Sequence, residues 1–236
     1  MLKKETLNLI SIKNSNFKDI FSICIGKNYI YQRRFIDYVG KYNQWDVDVK
    51  TGELKLDDKV LKVEFIGTTS AEDNCWFSSE IEKVIPDEFV KIMINARKNI
   101  EALGIEELSS SKITLNPDKD INGYNLSMIY IAFCDYNVAY FCGESDNTRI
   151  YMFVKELPEE IFRKISSVEF STAVMEMVAT FKTNHKLMIK ALLIENDIPF
   201  IDEDKNLKAR FNEESEITVE FDDNYCLKNI YGMLSK

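Results

Sequence analysis

Few residues in this chain are equipped for chemistry, and their spacing assembles little of it. His185 is the single histidine among 236 residues, so a metal cage of imidazoles or a Cys–His nucleophile pair has almost nothing to draw on. Helical spacing places it between Phe181 and Met188 on an apolar stripe, where a half-buried histidine satisfied by a backbone or carboxylate partner is the ordinary reading. Asp46 and Asp48 share one face of a strand and could jointly hold a cation or act as an acid–base pair, with Lys50 and Lys55 at hand to neutralise them instead. Asp118, Asp120, Asn122 and Gly123 follow the first half of a calcium loop. The twelfth position of such a loop, which supplies a bidentate glutamate, is Ile129 here. Turn and cap roles fit these residues better. Cys75 and Cys142 have no neighbouring cation to lower a thiol pKa. The phosphate-cradling glycine motifs and the Gly-x-Ser-x-Gly elbow are missing. No metal site and no cofactor are expected.

Charge supplies another candidate. Residues 193–223 carry eleven Asp/Glu against three Lys/Arg, a net of −8, whereas residues 1–41 carry eight Lys/Arg against three Asp/Glu, a net of +5; the chain as a whole stands at −9. An acidic surface disfavours nucleic acid and anionic membranes and suits a basic protein partner or plain solubility. Glu213, Glu214 and Glu216 are the candidate contacts, in the manner of a bacterial immunity protein facing a toxin. Lys13, Lys18, Lys27, Arg33 and Arg34 lie among aromatics near the start, but the acidic balance argues against a nucleic-acid role. No run reaches the ~18 apolar residues of a membrane span, and the start MLKKETLNLISIKN lacks the apolar core of a secretion signal. Five cysteines, Cys24, Cys75, Cys134, Cys142 and Cys226, form no CxxC pair. They read as reduced thiols in a cytoplasmic protein.

These side chains must be positioned by a recognisable set of elements. Trp45, Val47 and Val49 alternate with Asp46 and Asp48, Leu54 and Leu56 with Glu53 and Lys55, and Leu61, Val63 and Phe65 with Lys62, Glu64 and Ile66. Period two predicts strands near 44–50, 53–57, 60–67 and 73–79 with one buried face, and Thr51-Gly52 turns between the first two. Helices are predicted at 16–39, at 86–103 behind Pro86, at 124–135 and at 170–195. Further strands fall at 111–115, 137–143, 148–155, 197–202, 206–212 and 216–222, with a turn at Gly143–Asn147 and a small docking helix at Tyr225–Leu234. The fold class is α+β, with a mainly antiparallel sheet and two long amphipathic helices, 86–103 and 170–195, packed on one face. A single domain over 1–236 is expected, with a division into 1–108 and 109–236 as the alternative.

Trp45 and Trp76 admit two roles. As core anchors they would bury large apolar area; as a pocket beside Asp46, Asp48 and Glu80 they would mark an enzyme or small-ligand binder. Asn74, Ser78 and Ser79 make Trp76 the more polar of the two settings.

The pattern Trp45-x-Val47-Asp48, Gly52-x-Leu54, Ile66-Gly67-Thr68-x-Ser70 and Trp76 resembles a bacterial family known only as a domain of unknown function. The helix behind Pro86 and the aromatic hairpin near Tyr140 and Tyr151 follow in similar order, so the resemblance spans about residues 30–160. It implies a bacterial source and a shared scaffold, and it brings no catalytic residue with it. Phe77-Ser78-Ser79-Glu80 stands where the family continues with another aromatic and an asparagine.

Overall fold

The computed structural model describes residues 1–11, 15–70, 72–145 and 147–233. Lys13, the turn residue Asp146 and Leu234 lie outside them. The contacts gather into two compact units, one of Met1 with Tyr31–Phe162 and the other of Leu2–Ile30 with the chain from Arg163 onward. After the short α1 (Lys4–Leu7), helix α2 (Phe17–Val39) contributes its first part to one unit and its last part to the other.

In the unit built on Tyr31–Phe162, β1 (Trp45–Asp48), β2 (Glu53–Leu56), β3 (Lys59–Ser70) and β4 (Cys75–Ser78) form an antiparallel run completed by β5 (Lys112–Thr114). The hairpin of β6 (Ala139–Ser145) and β7 (Thr148–Lys155) joins the other side of β3. β3 is the spine. Its first half pairs with β2, its second half with β4, and β7 follows its opposite edge across a bulge at Ile66. The tight β1–β2 turn needs Gly52, whose φ is 62°. One face of this sheet gathers Leu54, Leu56, Val63, Phe65 and Met152 under Tyr31 and Phe35 of α2. The other is covered by α3 (Lys91–Ala102) and α5 (Gly123–Phe133), with α4 (Glu106–Ser109) beside α3. Covering both faces explains why the middle of β7, Tyr151–Val154, is continuously buried instead of alternating.

One sequence expectation changes here. Pro86 does not open the helix: a 3₁₀ turn at Asp87–Phe89 intervenes and α3 starts at Lys91. The interruption lets Phe89 leave the helical stripe and pack over Gly52. The start of α3 is held instead by Glu64 of β3. Its carboxylate accepts the Ile92 N–H at 2.8 Å and the Lys155 ammonium at 2.8 Å. A carboxylate at a helix N-terminus satisfies an orphan donor and complements the dipole. The apolar stripe of α3, buried at Ile92, Met93, Ala96 and Ile100, then seals the helix to the sheet, each large residue contributing about 1.5–3 kcal/mol.

The unit containing the C-terminal part has a four-stranded antiparallel sheet in the order β11-β10-β9-β8, formed by β8 (Phe200–Glu203), β9 (Asn206–Asn212), β10 (Ser215–Phe221) and β11 (Leu227–Met233). Leu207, Ala209, Ile217, Val219 and Phe221 are buried at period two. Helix α6 (Ser167–Thr180) lies against β10, and Phe170 meets Phe211 at 5.3 Å between ring centroids. Its start is fixed by a reciprocal capping box of Ser166 and Glu169.

The helix expected over 170–195 is two helices, α6 and α7 (His185–Glu195). Phe181 turns extended and sets its ring against Phe21 and Tyr29. Asn184 then starts α7 by accepting the Leu187 N–H at 3.3 Å. α7 packs on α2 at Gly26, where an added Cβ would lie 3.0 Å from that of Leu192. Buried Glu195 accepts from the Thr6 hydroxyl at 2.6 Å and the Lys3 N–H at 2.8 Å, which ties α1 to α7. The docking helix expected from Tyr225 is strand β11, because Thr218↔Tyr231 and Val219↔Ile230 complete the sheet. The α+β class with antiparallel sheets stands; there are two sheets, with α3 on the first and α6 on the second.

Candidate functional site

Trp76 is fully buried. Its indole lies 5.9 Å from the Tyr130 ring and 5.2 Å from that of Tyr151, and its floor is Gly67, where an added Cβ would fall 2.5 Å from the indole. It is a core anchor, so the pocket expected at Trp76 has no mouth there. Trp45 is half-buried against Phe141, 5.9 Å away, and covers Gly143. The same relation recurs for Phe89 on Gly52 and Tyr151 on Gly123. In each pair a side chain on the glycine would enter the ring. Gly52, Gly67, Gly123 and Gly143 are thus each covered by an aromatic ring.

Asp46 and Asp48 are exposed on β1, and Asp46 lies opposite Lys55 of β2. The Asp48 carboxylate accepts the Lys50 N–H at 2.8 Å. That hydrogen bond holds its pKa below the ordinary carboxylate value. Its work is closing the turn. In the calcium-like segment, Asp120 sits at φ 55° and Asn122 caps α5 by accepting the Asn125 N–H at 3.0 Å. Asn125 in turn donates to the Asp120 carbonyl at 2.8 Å. Among the described residues no group of three or more His, Cys, Asp or Glu is placed to hold a metal. All five cysteines are free. Burial pushes the thiols of Cys24, Cys134 and Cys142 up, away from the thiolate a nucleophile needs. His185 opens α7 and its Nδ1 accepts the Leu227 N–H at 2.8 Å. Desolvation, followed by the nearby Lys18, lowers its pKa.

The acidic segment is largely paired. Asp197 meets Lys3 and Lys164, Asp202 meets Lys186 and Lys190, Glu203 meets Lys208, and Asp223 meets Lys205. Glu216 lies opposite Arg210 on β9, with 3.7 Å between them. Glu213 and Glu214 stand exposed at the β9–β10 turn.

One surface was not anticipated. The last two turns of α2, Tyr42 and strand β6 enclose a groove of about 250 Å³ lined by Gln32, Phe35, Ile36, Val39, Tyr42, Tyr140, Phe141 and Cys142. Ile36 is 58 % exposed and Tyr42 40 %. β6 pairs with β7 alone among the described strands, so its other edge borders the groove. At that edge the Gln32 carboxamide donates to the Tyr140 carbonyl at 2.8 Å and accepts the Tyr140 N–H at 3.0 Å. Both main-chain groups of Tyr140 thus point away from β7. By antiparallel alternation those of Cys142 and Glu144 do the same. The signal in the sequence was slight: exposed Ile36 and polar Gln32 flank the buried Phe35 on the helix.

The fold defines an α+β protein whose described strands form two antiparallel sheets. The chain belongs to DUF6882, a family of unknown function, whose family model matches residues 18–157. That span takes in all but the first residue of α2 and nearly all of the first unit, including the four glycine–aromatic pairs and the β6 groove. No curated protein and no solved structure matches the chain.

Proposed function

We propose that this chain is a non-catalytic protein-binding module of the bacterial cytoplasm, which receives an extended segment of a partner along the free edge of β6. The observation that carries the reading is the Gln32–Tyr140 pair. A carboxamide offers one donor and one acceptor in a plane, as a peptide unit does, so Gln32 stands where a residue of a neighbouring strand would stand. Cys142 and Glu144 continue that edge beside an apolar groove. Strand addition draws affinity from main-chain hydrogen bonds and specificity from side-chain pockets, and Ile36, Val39 and Tyr42 supply such a pocket. The free thiols support a reducing compartment, and the sequence resemblance supports a bacterial one. A basic partner fits the net charge of −9 through steering, with exposed Glu213 and Glu214 among the acids open to that contact.

Selection of peptides from a displayed random library tests this reading. Cys142→Pro removes an outward N–H, a change that edge strands tolerate. Peptides that bind the wild type and lose at least about tenfold in affinity to Cys142→Pro, with circular dichroism unchanged, support the proposal. Binding unaffected by Cys142→Pro, or no peptide selected, counts against it. Glu213→Gln/Glu214→Gln separates the charge component, which weakens association at low salt while leaving the dependence on Cys142 intact.

A further inference from the structure

The single imidazole of the chain is placed as an acceptor for a sheet edge. His185 is the first residue of α7, and its Nδ1 receives the N–H of Leu227, the first residue of β11, at 2.8 Å. An imidazole nitrogen accepts only while it carries a lone pair, so this bond requires the neutral ring with its proton on Nε2. Protonation would set two N–H groups against each other. β11 has little else to hold it on its outer side. It pairs with β10 alone among the described strands, and Lys228, Asn229, Tyr231 and Gly232 are exposed while Leu227 and Ile230 are half-buried. The ladder is also irregular there, because the register shifts between Glu220 and Phe221 next to Leu227. Edge segments with few buried contacts open at low free-energy cost.

We propose that the His185–Leu227 hydrogen bond is an acid-sensitive latch, whose protonation frees the start of β11 and uncovers the edge of β10. The charges around the ring set its direction. Lys18 of α2 opposes the imidazolium and Asp222 of the β10–β11 turn favours it, while desolvation is the largest influence and disfavours the cation. The α7 N-terminus, with its positive dipole end, acts in the same sense. Lys186 is turned away, over the Tyr225 ring at 4.9 Å and donating to the Asp204 carbonyl. Tyr225 donates to the Asp204 carboxylate at 2.8 Å, and Lys205 pairs with Asp223. The closed state therefore holds the imidazole below its ordinary value of 6.5. The latch is fully engaged above that value. It weakens as pH falls through the interval down to the lowered value, because the open state binds the extra proton.

Amide hydrogen exchange followed by NMR reads the latch directly. The protection factor of Leu227, taken relative to Val219 in the middle of β10, should fall about tenfold per pH unit across that interval and then level off. The fall should follow the titration of the His185 ring resonances. His185→Asn places a non-titrating oxygen near the position of Nδ1 and should make the protection independent of pH. His185→Phe should leave Leu227 weakly protected at every pH. Leu227 protection that stays constant in the wild type overturns the proposal. So does an unchanged pH response in His185→Asn, which would assign the effect to carboxylates such as Asp222. If His185→Phe fails to fold, the wild-type coincidence of ring titration and Leu227 exchange still decides the matter.

Discussion

At the scale of single residues, the notable feature is glycine opposite a large ring. Gly67 lies under Trp76, Gly143 under Trp45, Gly123 under Tyr151 and Gly52 under Phe89. A methyl group at Gly67 must displace the indole or the Phe77 carbonyl, and overpacking of this kind costs about 1–3 kcal/mol. Gly67→Ala is therefore expected to lower the urea midpoint with the slope unchanged. Its cost should shrink by about 1 kcal/mol or more in a Trp76→Leu background, since residues in direct contact are coupled. Additive costs would show that the pair is not what restricts this position. Trp76→Ala alone should cost about 3–5 kcal/mol, as a fully buried ring implies and a pocket rim does not.

At the scale of elements, polar side chains decide where helices start. Glu64 serves the first turn of α3 while holding Lys155. Glu64→Ala leaves a buried N–H and an ammonium without their acceptor, so a loss of about 2–3 kcal/mol is expected. Glu64→Gln keeps a neutral acceptor and should lose less; equal losses in thermal unfolding would assign the effect to packing alone. Asn184→Ala should cost about 1 kcal/mol, mostly from α7. Elements with clean alternation were legible in sequence. Leu54/Leu56 and Leu207/Ala209 fall where period two places them. The break between α6 and α7 was hidden because the apolar spacing runs on through Phe181 to Met188, although Phe181 packs outside either helix. β11 escapes a sequence reading because Leu227, Ile230 and Met233 recur at every third position, a helical spacing and not the alternation of a strand. The groove was illegible for a different reason. Gln32 and Tyr140 are 108 positions apart, and nothing local announces that a helix side chain will pair with a strand edge.

At the scale of the whole molecule, the architecture constrains how the chain can be divided. β3 takes its longest pairing from β7, at 148–155, so a fragment of residues 1–108 lacks the strand that completes its spine. That fragment is expected to show no near-ultraviolet circular dichroism and no cooperative transition; a cooperative transition would mean that β1–β4 suffice. The proposed strand addition rests on the outer edge of β6, which pairs with β7 alone among the described strands. Residue-resolved amide exchange along that strand in the free protein is the most direct measurement. An alternation is expected. The N–H groups of Phe141 and Gly143 are protected by β7, that of Tyr140 by Gln32, and those of Cys142 and Glu144 exchange at rates close to an unstructured chain. Protection at Cys142 and Glu144 equal to that of Phe141 would mean that the edge is already occupied, and the strand-addition reading would fail.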